Sequence, residues 1–240
     1  LKLVNFAYGE IVVVGGYTLV VVTGWPIAWV VAAMLCIIIA AAASMSLEQV
    51  AFKPVRKASA NTMLITSIAA SALIQNAVRL FISPRPQAVP LPSFFTQSLT
   101  FGDIFISQRD ILSLIVSLLV LIVLTLFLQK TTLGIALRAA ADDFTMSRVL
   151  GVRANWVIAT AFMISGILAG IVAIFWVARV GTVTPEIGLT PVLIAFVAIV
   201  IGGMDSLAGA VIGGYIIGFI TVGLQIFLPQ DLLDFQQAFL

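Results

Sequence analysis

Histidine is absent from this chain, cysteine occurs once, and charged residues make up only 9% of its 240 positions. Each scarcity excludes something. Without histidine the commonest general base and metal ligand is missing, which argues against an enzyme and against a metal site. One cysteine cannot form an intrachain disulfide, and Cys36 lies in the apolar run Met34-Leu35-Cys36-Ile37-Ile38, where a buried thiol is inert. No basic stripe with interleaved aromatics is present, so nucleic acid is not an expected partner. Nor is there a Gly-x-x-x-x-Gly-Lys-Ser/Thr phosphate loop.

What the chain has in abundance is hydrocarbon. Hydrophobic residues reach 62% and the mean hydropathy is +1.21, against about 45–50% apolar and about 25% charged residues in soluble domains. Lipid is the solvent that accommodates such a composition, and the expected fold is all-α: a polytopic transmembrane helix bundle, residues 1–240 forming a single transmembrane domain. The opening Leu1-Lys2-Leu3-Val4 lacks both Met and the pattern of a signal peptide. Another apolar stretch begins just before Leu240, so truncation at both ends is expected.

A bilayer span needs about 20 mostly apolar residues. Spans are expected at 27–47, 62–82, 111–128, 156–177, 190–201 and 210–228, with a shorter apolar stretch at 11–23. The second of these carries Thr62, Thr66, Ser67, Ser71, Gln75 and Asn76. Residues 83–110 hold four prolines, and Leu99–Ile106 predicts a short hairpin around Gly102-Asp103. Residues 129–153 are expected to form a polar loop, and 202–209 a tight turn. The spacing Gly166-x-x-x-Gly170 lets helix backbones approach closely in lipid.

Basic residues give the orientation. The loops at 48–61 and 129–155 share one side, which then holds Lys53, Arg56, Lys57, Lys130, Arg138, Arg148 and Arg153. The other side holds Arg79, Arg85, Arg109 and Arg179, with Lys2 unassigned. The positive-inside rule places the seven in the cytoplasm and the hairpin outside it.

Two segments carry functional expectations. In Asn5-Phe6-Ala7-Tyr8-Gly9-Glu10 a carboxylate adjoins a span. Ionisable groups at membrane depth are expensive and mark solute paths; the competing reading is an interfacial residue that merely ends a helix. The three polar or small residues of that motif predict an irregular, hydrogen-bonded break. In the loop, Asp142 and Asp143 suit a helix N-terminus, Arg148 a last turn and Gly151 the position just past the end. Met146, Val149 and Leu150 then share one apolar face, which requires something to dock against.

These same segments resemble a known family. Asn5-Phe6-Ala7-Tyr8-Gly9-Glu10 is similar to the Asn-Phe-Ala-His-Gly-Glu motif of permease subunits from branched-chain amino acid ATP-binding-cassette importers. Thr132-Leu-Gly134-Ile-Ala-Leu-Arg138-Ala-Ala-Ala-Asp142 and Arg148-Val-Leu150-Gly151-Val resemble its loop motif. Gly202-Gly203-Met-Asp205-Ser206-Leu-Ala-Gly209 resembles its Gly-Gly-x-Gly-Ser-x-x-Gly turn. Tyr8 stands where histidine is usual, and Asp205 where glycine is frequent.

The resemblance implies a transport subunit of the bacterial inner membrane, without cofactor or catalytic residues of its own. It would pair with a second permease subunit, homologous or identical. Two cytoplasmic ATPase subunits would dock on it, and a periplasmic solute-binding protein would deliver a small-molecule solute: a branched-chain amino acid, urea or a short amide. Asn5 and Glu10 are the expected path residues. Gly134, Arg138, Asp142, Met146, Arg148, Val149, Leu150 and Gly151 are the expected coupling residues. The competing classes are a membrane-embedded enzyme, for which no convergent set of acidic or nucleophilic groups is seen, and an ion-coupled transporter, which would work without an ATPase.

Overall fold

The computed structural model describes residues 5–56, 58–101, 104–149, 151, 153–203 and 206–227. Helix α1 spans Tyr8–Thr23 and α2 spans Trp29–Leu47. The latter runs on through a π-helical turn, Glu48–Phe52, into the single turn α3, Lys53–Val55. Helix α4 (Ala60–Phe81) leads to strand β1 (Gln87–Ala88), the turn α5 (Ser93–Thr96) and strands β2 (Ser98–Phe101) and β3 (Ile104–Ser107). Then come α6 (Gln108–Lys130), α7 (Thr132–Asp142), α8 (Phe144–Val149) and α9 (Ala154–Val180). Strand β4 (Thr182–Val183), α10 (Leu189–Gly202) and α11 (Leu207–Phe227) complete the described chain.

Among the described residues, five stretches are long and apolar enough to cross a bilayer: Trp29–Val55, Asn61–Phe81, Gln108–Lys130, Asn155–Val180 and Leu207–Ile226. The all-α bundle expected from composition is therefore observed. So is the hairpin, with Phe101 opposite Ile104 in the antiparallel pair β2–β3. Strand β1 pairs with β4, and Trp29 stacks on Phe95 of α5 at 4.7 Å between ring centroids. These contacts gather the start of α2 and the ends of α4 and α9 at the hairpin end of the bundle. At the opposite end Arg56 donates to Asn155 Oδ1 at 2.8 Å, beside α7 and α8.

The core is the three-helix unit α1–α2–α9. Ala32, Cys36, Ala40 and Ser44 recur every four residues on α2 and are fully buried, which makes a stripe of small side chains. Against it lies the Gly166-x-x-x-Gly170 face of α9. A Cβ on Gly166 would come within 2.6 Å of Ser44 Cβ, and one on Gly170 within 2.7 Å of Ile37 Cα. Lipid supplies no hydrophobic drive between helices, so this close fit is the source of dispersion energy that holds them. Hydrogen bonds add to it: Ser44 Oγ donates to Phe162 O at 2.6 Å, and Cys36 Sγ to Gly15 O at 3.2 Å. By contrast, α6 buries none of its residues. Its Leu114, Leu118, Ile122 and Leu126 stand exposed, as suits a helix facing acyl chains.

Two expectations need correction. Residues 190–201 do not form a full span. Helix α10 has 14 residues, about 21 Å at about 1.5 Å per residue, short of the roughly 30 Å hydrocarbon core. The region 129–153 is not an open loop, since α7 occupies its first half. Thr131 caps that helix by accepting the Gly134 N–H at 3.0 Å, and alanine-rich 136–141 propagates it well.

A candidate translocation site and coupling loop

Helix α1 begins deep in the bundle. Tyr8 donates its hydroxyl hydrogen to Ser165 O at 2.6 Å, and Ser165 lies near the middle of α9. Glu10, in the first turn of α1, meets Ser71 and Gln75 near the middle of α4. Backbone geometry at the start explains how the chain enters a helix there. Asn5 Oδ1 accepts the Ala7 N–H at 3.1 Å, and Asn5 O accepts the Tyr8 N–H at 3.1 Å. The expected hydrogen-bonded break is thus a turn that satisfies donors at the helix start. Asn5 is spent on that turn, whereas Glu10 points into the bundle.

The start of α10 comes to the same place. A Cβ on Gly9 would lie 2.6 Å from Gly188 O and 2.9 Å from Val192 Cγ2, and one on Gly188 would overlap Gly9 O. Only a pair of glycines allows this approach. From the crossing, α1 runs to the hairpin end, where Tyr17 reaches towards Ser83 O. Two short helices therefore meet N-terminus to N-terminus at mid-depth, an arrangement that transporters use to build solute and ion sites.

Glu10 is 2% exposed. Its Oε1 accepts hydrogen bonds from Ser71 Oγ at 2.8 Å and Gln75 Nε2 at 2.7 Å. Its Oε2 is buried with no partner among the described residues. Glu10 therefore lies inside the bundle, against the middle of α4. One helical turn further along the facing sides of α1 and α4 lies a cavity of about 240 Å³, lined by Val14, Tyr17, Thr18, Ile39, Val78 and Ile82 among others. Arg79, on the same side of α4, pairs with Glu186 at 2.5 Å.

The loop is two helices meeting at Asp143. Asp142 closes α7 rather than opening the next helix. Asp143 caps α8, its Oδ1 accepting the Met146 N–H at 2.9 Å, and Gly151 takes φ +88° in the left-handed region. Gly134 sits against the end of α6, where a Cβ would overlap Phe127 O. Arg138, Met146 and Val149 are exposed. The side chains of Asp142 and Arg148, and Leu150 altogether, lie outside the described residues.

Sequence reasoning missed Gly188, the role of Ser71 and Gln75, and the ion pair of Glu48 with Arg56. The signal for Ser71 and Gln75 was their i, i+4 spacing, which puts both on one face. For Gly188 no local signal exists.

Comparison with known proteins agrees with this architecture. Residues 1–239 match the family model described as branched-chain amino acid transport system / permease component. The high-affinity branched-chain amino acid transport system permease protein BraD of Pseudomonas aeruginosa is 35% identical over 228 residues, covering 90% of this chain and 74% of the relative. Its counterpart LivH of Escherichia coli is 32% identical, covering 97% and 79%. The probable permease protein LivH of Methanocaldococcus jannaschii is 30% identical, covering 89% and 69%. No solved structure matches. The chain belongs to the branched-chain amino acid permease family: it is a multi-pass inner-membrane subunit of an ATP-binding-cassette importer, a transport component rather than an enzyme, and that family implies ATPase and binding-protein partners.

Proposed function

We propose that this chain lines the path by which a branched-chain amino acid, or a related small solute such as urea or a short amide, crosses the inner membrane. Residues 134–151 couple that path to ATP hydrolysis. The observation that carries the path is Glu10, a half-satisfied carboxylate at mid-depth where two short helices meet. Such a group is costly in lipid and is retained where a solute needs it. Asn5 serves the path by shaping the backbone that presents Glu10. Residues 1–240 act as one transmembrane domain, paired with a second permease subunit, with two ATPase subunits at the α7–α8 end and a periplasmic binding protein at the hairpin end.

The loop has the features of a lever. It is short, tied to α6 through Gly134 and to α9 beyond Gly151, and it leaves Met146 and Val149 exposed. Arg138 and Arg148 offer charge-assisted hydrogen bonds to a docked partner. Truncating an anchor at the centre of an interface costs about 2 kcal/mol or more, so Leu150→Ala is expected to weaken retention of the ATPase in pull-downs. Gly151→Val places a β-branched residue at positive φ; it should keep the ATPase bound and lose solute-stimulated hydrolysis. If both variants leave binding, hydrolysis and uptake unchanged in reconstituted complexes, the loop is not the coupling element. Orientation is tested separately with single cysteines at the exposed positions Ser98 and Ser59, in a Cys36→Ala background. Ser98→Cys should react with impermeant reagent in intact cells, and Ser59→Cys only after the membrane is opened.

A further inference from the structure

Two of the ion pairs among the described residues differ in kind. Glu48 meets Arg56 in the interior, its side chain 3% exposed, at the end of the bundle that holds α7 and α8. Arg79 on α4 meets Glu186 in the turn before α10, with side chains 38% and 67% exposed. Parting a buried pair strands a charge, so the first stays closed. An exposed pair shifts an equilibrium by about fivefold or less, so the second opens and closes readily. Charged groups within a membrane bundle face its interior or a water-filled cavity. The exposure of Arg79 and Glu186, and of Asn76 three residues before Arg79, therefore marks a wet side of α4.

The contacts around Glu10 place that pair. Arg79 lies four residues beyond Gln75 on α4, about one helical turn, and Gln75 donates to Glu10. Glu186 lies two residues before Gly188, where a Cβ would overlap Gly9 O. Both partners thus stand one step from the crossing of α1 and α10. Both are also on its hairpin side, since α4 runs on from Arg79 towards β1, and Glu186 follows β4, the strand paired with β1. Their supports are fixed. Val78 beside Arg79 is buried, as are Val183 and Ile187 flanking the turn, and Thr184 O accepts the Ile187 N–H at 3.2 Å. Only the two long side chains need to rotate for the pair to part.

We propose that Arg79 and Glu186 form a gate on the hairpin side of the path. Closed, the pair joins α4 to the turn before α10, one step from Glu10. Open, it admits solute and water from that side to the crossing. The inference rests on the importer reading above and adds to it the residues that control access. A gate must yield to the modest energy of a solute or a docked partner, and an exposed pair on fixed supports does so without disturbing the packing beneath it.

The test uses the assembled permease–ATPase complex in proteoliposomes, in a Cys36→Ala background, with Ser67→Cys as reporter. Ser67 is 1% exposed and lies four residues before Ser71 on α4, so Glu10 stands between it and the pair. An impermeant thiol reagent is added on the hairpin side. Arg79→Gln and Glu186→Gln should each speed labelling of Ser67→Cys, by up to about fivefold. The exchanged pair, Arg79→Glu with Glu186→Arg, should return the rate to that of the unaltered pair. Should a glutamine variant fail to assemble, Glu186→Asp, which shortens one arm and keeps the charge, decides by the same rate. In a second experiment Ser67 is kept, and Arg79→Cys and Glu186→Cys are joined by a short bifunctional methanethiosulfonate. Leucine uptake should fall about tenfold or more and return on reduction. Labelling that no variant changes, or uptake that continues through the joined cysteines, overturns the gate. So does failure of the exchanged pair to restore the rate, which would assign the two charges to the second permease subunit. Uptake that the linker blocks but that needs no ATP would instead sink the importer reading and leave the gate standing.

Discussion

Helices α2 and α4 are neighbours of α1, yet they are held in opposite ways. Helix α2 meets α9 through a four-residue repeat of small, fully buried side chains and glycines too tight to bear a Cβ. Helix α4 meets the core through Val78, with Ala70 and Ile74 beside it, and through Ser71 and Gln75 on Glu10, and it leaves Ile65, Ile68, Leu73 and Leu80 exposed. Close packing stores its energy in many short contacts and resists displacement. A few hydrogen bonds across a groove can be exchanged for others. The contrast divides the bundle into a close-packed frame, α1–α2–α9, and a wall, α4, that is more exposed and held in part by polar contacts.

That division can be broken or sharpened by substitution. The largest effect is expected at the end of the frame, where buried Glu48 pairs with Arg56, which in turn holds Asn155 at the start of α9. Glu48→Ala leaves the arginine without its anion and should cost about 3–5 kcal/mol, whereas the double replacement Glu48→Leu with Arg56→Met should recover much of it. Unfolding by denaturing detergent measures both; equal losses would show that the pair does not lock the frame. Next comes Gly166→Val, which should cost about 1–3 kcal/mol through overpacking, while Gly214→Val on α11, with open space at its Cβ position, should leave stability nearly unchanged. Equal effects at the two glycines would remove the distinction between frame and periphery. Tyr8→Phe deletes one hydrogen bond to α9 and is expected to cost about 1 kcal/mol. Smallest is Leu118→Ala on the exposed face of α6, expected to stay within about 0.5 kcal/mol; a larger loss would mean that this face packs against a partner.

The spans were legible because length and hydropathy report directly on lipid, and the Phe101–Ile104 hairpin because its turn residues stand between alternating apolar ones. The seam was legible from Gly166 and Gly170, whose spacing is local. Helix α10 was misjudged because an apolar run alone does not reveal the depth at which it starts. That depth is set by Gly188 against Gly9, far apart in the chain, and no local periodicity encodes such a meeting. Glu10 was legible as an expense, but its partners were not. Six polar residues on α4 were equally eligible, and only the packing of α4 on α1 selects Ser71 and Gln75. In the loop, Asp143 was one of two candidate caps. The choice between it and Asp142 depended on where α7 ends, which sequence places only to within a residue or two.

The meeting of α1 and α10 has an electrical consequence. Each helix start carries the equivalent of about half a positive elementary charge, and each helix end about half a negative one. Brought head to head at the Gly9–Gly188 contact, the two starts gather that partial positive charge beside the buried Glu10 side chain. The backbone itself thus offers Glu10 an electrostatic partner, and parting the two glycines would withdraw it.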